Sequence, residues 1–189
     1  MTEAEAIERL RRGDVDGLRL LVEKYELKAT RAAVLVTRDL GLAQEAVQEA
    51  FVRVYERIEQ FDANRPFEPW FMRIVVNNAL KAMRRRGREL SMNGVESDGA
   101  GAMADMMPRV APDVEEQLSR AELRQRVRWA LALLTPKQRA AVVLRYYLGM
   151  SGAEMATVLG ITEGAVKWRL AAARERLRTL LGNERPEVE

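Results

Sequence analysis

One segment of the chain, RPFEPWFMRIVVNNALKAMRRRGR, carries the side-chain types that hold unpaired nucleotides. Steps of three and four residues place an aromatic, an amide and several basic groups on one helix face. These residues are Trp70, Arg73, Asn77, Lys81 and Arg84. A flipped base stacks on an aromatic ring and bonds to an amide, while its backbone attracts cations. The stripe favours binding of single-stranded nucleic acid, although Trp70 could instead be core and Asn77 merely solvated.

A second segment, MSGAEMATVLGITEGAVKWRLAAARERLRTLL, has the spacing of a helix-turn-helix. Ser151 opens a capping box, Gly160 ends a short helix and Thr162 caps the next one. Val166 lies where a branched apolar residue fills the angle between the two helices. The pattern indicates a second helix that lies in the major groove of duplex DNA, rather than an ordinary αα-hairpin with a basic surface.

The candidate DNA contacts of this second helix lie mainly in its first two turns, which normally reach base edges. They are Glu163, Gly164, Lys167, Trp168, Arg169 and Arg174. Arg174 lies further along and is expected to meet phosphates, whereas base and phosphate contact are both open for Arg169. Glu163 could accept a hydrogen bond from cytosine or complement the helix dipole.

Helical periodicity elsewhere, and the near absence of strand signals, predict an all-α fold. We expect two small helical domains, residues 8–88 and 114–182, the second containing the helix-turn-helix. Residues 89–113 between them include SMNGVESDGAGAMADMMPRVAPD, which is rich in Gly, Ser, Asp and Pro and has no period. This composition is typical of a flexible acidic linker.

Composition excludes much bond chemistry. The chain has no Cys and no His, so a disulfide, a thiolate or imidazole metal site and a Cys or His nucleophile are impossible. We expect a non-enzyme with no metal and no cofactor. The formal net charge of +3 conceals basic helices that alternate with acidic stretches. No apolar run is long enough to span a bilayer, so a cytoplasmic protein with no membrane insertion is expected.

The order of these features resembles a bacterial sigma factor of the extracytoplasmic-function group in the sigma-70 family. The segment GLAQEAVQEAFVRVYERIEQFD is similar to the family's polymerase-binding helix, and FEPWFMRIVVNNALKAMRRR to the segment that opens and reads the minus-ten promoter element. LTPKQRAAVVLRYYLGMSGAEMATVLGITEGAVKWRLAAARERLR is similar to the domain that reads the minus-thirty-five element. The resemblance implies a chain that binds core RNA polymerase and directs promoter-specific initiation.

The resemblance also implies residue roles. Gln48, Glu49, Phe51 and Arg53 would face the clamp helices of the polymerase β′ subunit, and the second domain would meet the β flap. Single-stranded minus-ten DNA would contact Asn64, Phe67, Trp70, Arg73, Asn77, Asn78, Lys81, Arg84 and Arg85. The loop over 62–69 would hold a flipped non-template base. The upstream element would be read as duplex by the helix-turn-helix, and an anti-sigma factor is an implied partner.

Trp168 departs from the family, which usually has a small polar residue there. Its indole could contact a thymine methyl group or stack on the helix over 135–148. Two alternative functions remain: a stand-alone helix-turn-helix regulator whose first domain senses a ligand or dimerises, and an RNA-processing or nucleotide-transfer enzyme, which would need a metal-binding carboxylate cluster. The basic-aromatic stripe disfavours the regulator, because a duplex reader needs no second surface of this kind.

Overall fold

The structure, a computed structural model, describes residues 2–92 and 114–182. All regular structure in these two ranges is helical. The α-helices are α1 (Glu3–Arg11), α2 (Asp16–Thr37), α3 (Leu40–Arg57), α4 (Phe67–Met92), α5 (Val114–Ala132), α6 (Pro136–Val142), α7 (Gly152–Leu159) and α8 (Glu163–Leu181). The all-α prediction is confirmed. None of the described helices has the length and apolar character needed to cross a membrane.

Helices α1 to α4 form the first domain around an aromatic core. Phe71 is fully buried and lies against Phe51 of α3, with ring centroids 4.6 Å apart, and against Tyr25 of α2 at 5.9 Å. Helix α1 packs on α2 and buries Ala6 and Ile7. The core therefore begins before residue 8, because the acidic N-terminal segment is an amphipathic helix with a capped first turn.

Helix α4 is longer at both ends than its sequence indicates. The prolines around residue 69 predict a helix that starts near Trp70, but α4 begins at Phe67. Pro69 is tolerated because it lies in the first turn, where backbone N–H groups have no acceptor within the helix. It also continues to Met92, four residues into the expected linker. The rest of that linker, residues 93–113, lies outside the described residues.

Helices α5 to α8 form the second domain. Thr135 closes a capping box over α6, with Pro136 in the first turn, as its sequence predicts. The helix then continues to Tyr147, with Leu148 at its C-cap, close to the expected end at Leu148, but its last turn, Val143–Tyr147, is π-helical. Gly149 then reverses the chain with a φ of 69°, a left-handed conformation that suits glycine.

The two domains pack directly against each other. Helix α6 contacts α2 and α4, and α7 contacts α4. Ala140, Leu144 and Met155 of the second domain are fully buried in the same apolar cluster as the core of the first. Among the described residues, the core of the first domain therefore continues into the second domain, beside a smaller separate cluster of Leu131, Leu134, Val142 and Ala173. Periodicity within single helices cannot predict this arrangement.

Arg139 of α6 lies at this junction with only 3% of its surface exposed. Its Nε donates to the Val36 carbonyl of α2 at 2.7 Å, and its Nη1 donates to the Leu131, Ala132 and Leu134 carbonyls at 3.3 Å each. Burial, together with the nearby positive charge of Arg38, lowers the pKa of Arg139 to about 10. Carbonyls at helix ends carry partial negative charge and stabilise the guanidinium there.

Replacing Arg139 by alanine should lower the free energy of unfolding by about 2–4 kcal/mol, because buried carbonyls lose their donors and a cavity remains. Urea unfolding followed by circular dichroism measures this change. The control is Arg19→Ala, which removes an exposed arginine that pairs with Glu23 within α2, and it should change stability by less than about 0.5 kcal/mol. Equal midpoints for the two variants would contradict the role assigned to Arg139.

Candidate nucleic-acid interface

The basic stripe of α4 lies on the surface. Arg73, Asn77, Lys81 and Arg84 are all exposed, even with the second domain packed against the same helix. Opposite faces of α4 bury Val75 and Ala79 in the core. The helix therefore presents an amide and three cations to solvent over about three turns, which is the surface that its sequence predicts.

Trp70 serves both the core and this surface. It is half-buried, and its ring centroid lies 5.1 Å from that of Phe61 and 5.6 Å from that of Phe67. Phe67 itself is only 1% exposed and lies behind Trp70. The expectation that Phe67 contacts DNA is therefore wrong for this structure, because its ring fills the core beneath the indole. Of the two, only Trp70 keeps part of its surface accessible to solvent.

The loop before α4 is held by one carboxylate. Asp62 Oδ1 accepts from the backbone N–H of Asn64 at 3.0 Å and from its Nδ2 at 3.1 Å, and Oδ2 pairs with Arg65 at 3.3 Å. An aspartate that bonds to the backbone two residues on is a common way to build a tight turn. Asn64 is exposed at the end of this loop.

Asn78 is not part of the exposed stripe. It is 1% exposed, and its Nδ2 donates to the Ala46 carbonyl of α3 at 3.1 Å. The assignment of Asn78 to DNA contact is therefore wrong for this structure. One residue is a 100° rotation on a helix, so adjacent asparagines have different environments, and Asn78 instead ties α4 to α3.

Two arginines of the 84–86 run form ion pairs with α3 and the turn before it. Arg85 Nη2 donates to Glu45 Oε1 at 2.6 Å, and Arg86 donates to Asp39 Oδ2. The hydrogen bond that Arg85 donates to Glu45, together with the negative charge of that carboxylate, raises the pKa of Arg85. Arg84 has no ion pair among the described residues. It is therefore the arginine of this run best placed to meet a phosphate.

The expected polymerase-binding residues also divide into exposed and buried ones. Gln48 is exposed, and Glu49 and Arg53 are half-exposed, but Phe51 is 7% exposed and packs on Phe71. The assignment of Phe51 to direct contact is therefore wrong, since its ring is core.

The same face of α3 carries apolar residues that the charge pattern did not reveal. Val52 is 55% exposed and Tyr55 is 44% exposed, at four and seven residues from Gln48. Exposed apolar side chains among polar ones are typical of a protein-binding surface. The signal available in the sequence was their helical spacing from Gln48.

The helix-turn-helix forms as its sequence predicts. Ser151 makes a capping box with Glu154, and Gly160 ends α7 with a φ of 63° while Thr162 caps α8. Val166 is 1% exposed between the two helices. The turn closes with a bond from the Ile161 N–H to the Ala156 carbonyl at 3.1 Å.

Helix α8 exposes most of its candidate DNA contacts. Exposed side chains are those of Glu163, Lys167, Trp168 and Arg174, with Gly164 also at the surface. Arg169 is half-buried on the flank, which favours its phosphate alternative. A Cβ built on Gly152 would lie 3.6 Å from Glu163 Oε2, so this carboxylate lies beside the first residue of α7. This position supports the dipole role of Glu163.

Helix α5 exposes a further apolar set that sequence analysis did not single out. Leu123 is 58% exposed and Trp129 53%, and Leu133, directly after the end of α5, is 45% exposed. Whether these side chains are buried or exposed depends on which part of α5 the rest of the domain covers. The periodicity of the sequence does not predict that coverage. Among the described residues, no group of three or more carboxylates is placed to hold a metal ion, so nothing there favours the nucleotide-transfer enzyme.

Comparisons with known proteins give the family. The Sigma-70 region 2 model matches residues 21–89, and the Sigma-70 region 4 model matches residues 124–177. The chain is 31% identical to the ECF RNA polymerase sigma-E factor of Escherichia coli K12, over 94% of this chain and 93% of that protein. It is 30% identical to the RNA polymerase sigma-H factor of Pseudomonas aeruginosa, over 93% and 91%. The chain therefore belongs to the sigma-70 family, in its extracytoplasmic-function group.

Solved structures agree with this assignment. The sigma factor RpoE in complex with the anti-sigma factor NepR from Bartonella quintana matches with a TM-score of 0.67 and 26% identity, over 88% of this chain and 96% of that one. CnrH in complex with the cytosolic domain of CnrY matches with a TM-score of 0.64 and 24% identity, over 97% and 99%, and shows the fold alone. The resemblance identified from the sequence is confirmed.

Asp39, which pairs with Arg86 at the candidate interface, also stabilises the first turn of α3. Its Oδ1 caps α3 by accepting from the Leu42 N–H at 2.9 Å, and this bond, followed by the pairing with Arg86, lowers the pKa of Asp39. Replacing Asp39 by alanine should cost about 1 kcal/mol of unfolding free energy at pH 7. A depressed carboxyl pKa stabilises the fold above the unfolded value of about 3.9 and ceases to do so as pH falls through the folded value.

Urea unfolding between pH 7 and pH 3 tests this prediction. The gap between wild type and Asp39→Ala should narrow on acidification, and Asp39→Asn, which keeps a capping side chain but loses the charge, should fall between them at pH 7. A gap that is unchanged from pH 7 to pH 3 would show that the Asp39 charge contributes nothing.

Proposed function

We propose that this sigma factor binds core RNA polymerase, directs it to a subset of promoters and helps to melt the minus-ten region by capturing flipped bases. The observation that carries the proposal is the stripe on α4, where exposed Arg73, Asn77, Lys81 and Arg84 follow the half-buried Trp70. Sigma factors are initiation factors without catalytic activity of their own. The polymerase would supply the bond chemistry, in the cytoplasm.

Minus-ten capture is assigned to the loop over 62–66 and the first turns of α4. Asp62 holds the loop that exposes Asn64, and the half-buried Trp70 ring packs on Phe61 and Phe67. An unstacked base gains stacking energy from such a ring and hydrogen bonds from an amide. The cations further along α4 would then hold the single-stranded backbone, with Arg84 nearest the end of the stripe.

Polymerase binding is assigned to the exposed face of α3 and to the second domain. Gln48, Glu49 and Arg53 would contact the β′ clamp helices, and exposed Val52 and Tyr55 would add apolar area to the same surface. Exposed apolar residues of α5 would meet the β flap. Aromatic residues and arginine are enriched in protein interfaces, which supports both assignments.

The upstream element is assigned to α8, which would lie in the major groove of the duplex minus-thirty-five region. An anti-sigma factor is the proposed inhibitor, since one of the matching structures, RpoE of Bartonella quintana, is a complex with the anti-sigma factor NepR. It would compete with polymerase for the exposed surfaces of the two domains.

Run-off transcription with purified core enzyme tests the proposal. Core enzyme plus this chain should transcribe a subset of a promoter library, and permanganate should detect unpaired thymines at the minus-ten region of those promoters. Absence of any transcript above core enzyme alone would refute the function. Specific duplex binding without core enzyme, and no affinity for it, would instead indicate the stand-alone regulator.

Replacing Arg84 by alanine should weaken open-complex formation on every promoter tested. Loss of one phosphate contact should also reduce the slope of log affinity against log salt by about 0.7–0.9. The measurement is promoter opening as a function of salt concentration. Arg19→Ala removes an exposed arginine from α2 and is the matched control, expected to leave the slope unchanged. A loss restricted to certain promoter sequences would contradict a backbone role for Arg84.

A further inference from the structure

Trp168 is 74% exposed, the highest fraction among the large apolar side chains that the structure describes. The alternative in which its indole stacks on the helix over 135–148 is therefore wrong. Leaving an indole in water forgoes a large favourable burial term, of about 25 cal/mol for each Å² of apolar surface. The indole is therefore accessible to any molecule that approaches α8.

The neighbours of Trp168 on α8 leave the ring isolated. Residues four before and three after it share its face of the helix, and these are Gly164 and Ala171, both exposed. Neither has a side chain longer than a methyl group. Within one turn on either side, this face of α8 therefore has no side chain longer than a methyl group except the indole, and Lys167 beside it is also exposed.

We propose that Trp168 makes this sigma factor select thymine in its upstream element, by contact between the indole and the thymine C5-methyl group. In the major groove, thymine displays a methyl group where the other bases display only polar edges, and an apolar side chain is its natural partner. The small residues on either side let the helix backbone lie close to the bases. The inference rests on the proposed function, because it requires α8 to lie in that groove.

A phosphate role suits the same residue poorly. The indole carries no charge and has a single N–H donor, whereas exposed Lys167 and Arg174 supply cations on the same helix. Trp168 therefore contributes specificity, and the cations contribute affinity that does not depend on sequence.

The test replaces each thymidine of the minus-thirty-five element in turn by deoxyuridine, which differs only in lacking the C5-methyl group. Holoenzyme is assembled from the full chain and core polymerase, and run-off transcription is measured on a promoter that it uses. For the wild-type chain, we expect uracil to lower transcription about fourfold at one or two positions, the effect of one buried methyl-sized group. Equal transcription from thymine and uracil templates at every position would overturn the inference.

Two variants assign the effect to the residue. Trp168→Ala should transcribe thymine and uracil templates equally, while Tyr146→Ala, which removes another exposed aromatic side chain of the second domain, should keep the wild-type ratio. Because each ratio is taken within one variant, a change in polymerase affinity cancels. An unchanged ratio in Trp168→Ala would overturn the inference.

The failure of the proposed function has a different signature. Absence of transcript from every all-thymine promoter would refute the sigma-factor mechanism, and this inference with it. Transcription that is normal but indifferent to the methyl group would refute the thymine contact alone.

Discussion

The arrangement of the two domains depends on how one buried guanidinium is satisfied. Arg139 carries a positive charge into the junction between the domains, and its Nε and Nη1 bond to backbone carbonyls of α2 and of the chain around the end of α5. Burying a charge is costly unless hydrogen bonds compensate for lost water. Here helix ends supply that compensation, because their last carbonyls have no intrahelical donor. The contact joins α6 of the second domain to α2 of the first.

A second constraint divides the charges near the DNA surface into structural and functional groups. Glu45 and Asp39 each hold one arginine of the 84–86 run, while Arg84 remains outside these pairs. The acids of α3 therefore help to attach the end of α4 to the domain, besides any contact with polymerase. Exposed ion pairs of this kind contribute little individually. Their effect is that Arg85 and Arg86, although exposed, already face a carboxylate, whereas Arg84 has no such partner among the described residues.

The sequence predicted the helix-turn-helix well because its signals are local. Capping residues, a turn glycine and a plug residue lie within about twenty residues and act through bonds to neighbouring backbone groups. The sites on α3 and α4 were predicted less evenly. Phe51, Phe67 and Asn78 belong by motif to functional segments, yet all three are core. In a helix that packs against several neighbours, a buried residue often lies next to an exposed one. Periodicity shows which residues share a face of the helix, but it does not show which faces other helices cover.

By itself, the sequence determined the all-α class, the family, the two basic helices and the stripe from Trp70 to Arg84, because each follows from short-range spacing and composition. Only the tertiary structure decided which members of each motif reach solvent, that α1 belongs to the core and that Arg139 joins the domains. It also decided that the Trp168 side chain is largely exposed to solvent instead of packing on another helix of the chain. These outcomes depend on contacts between residues far apart in the chain, such as Val36 and Arg139, which are 103 positions apart. No local pattern specifies such contacts, since they arise when separate helices bury their apolar faces together.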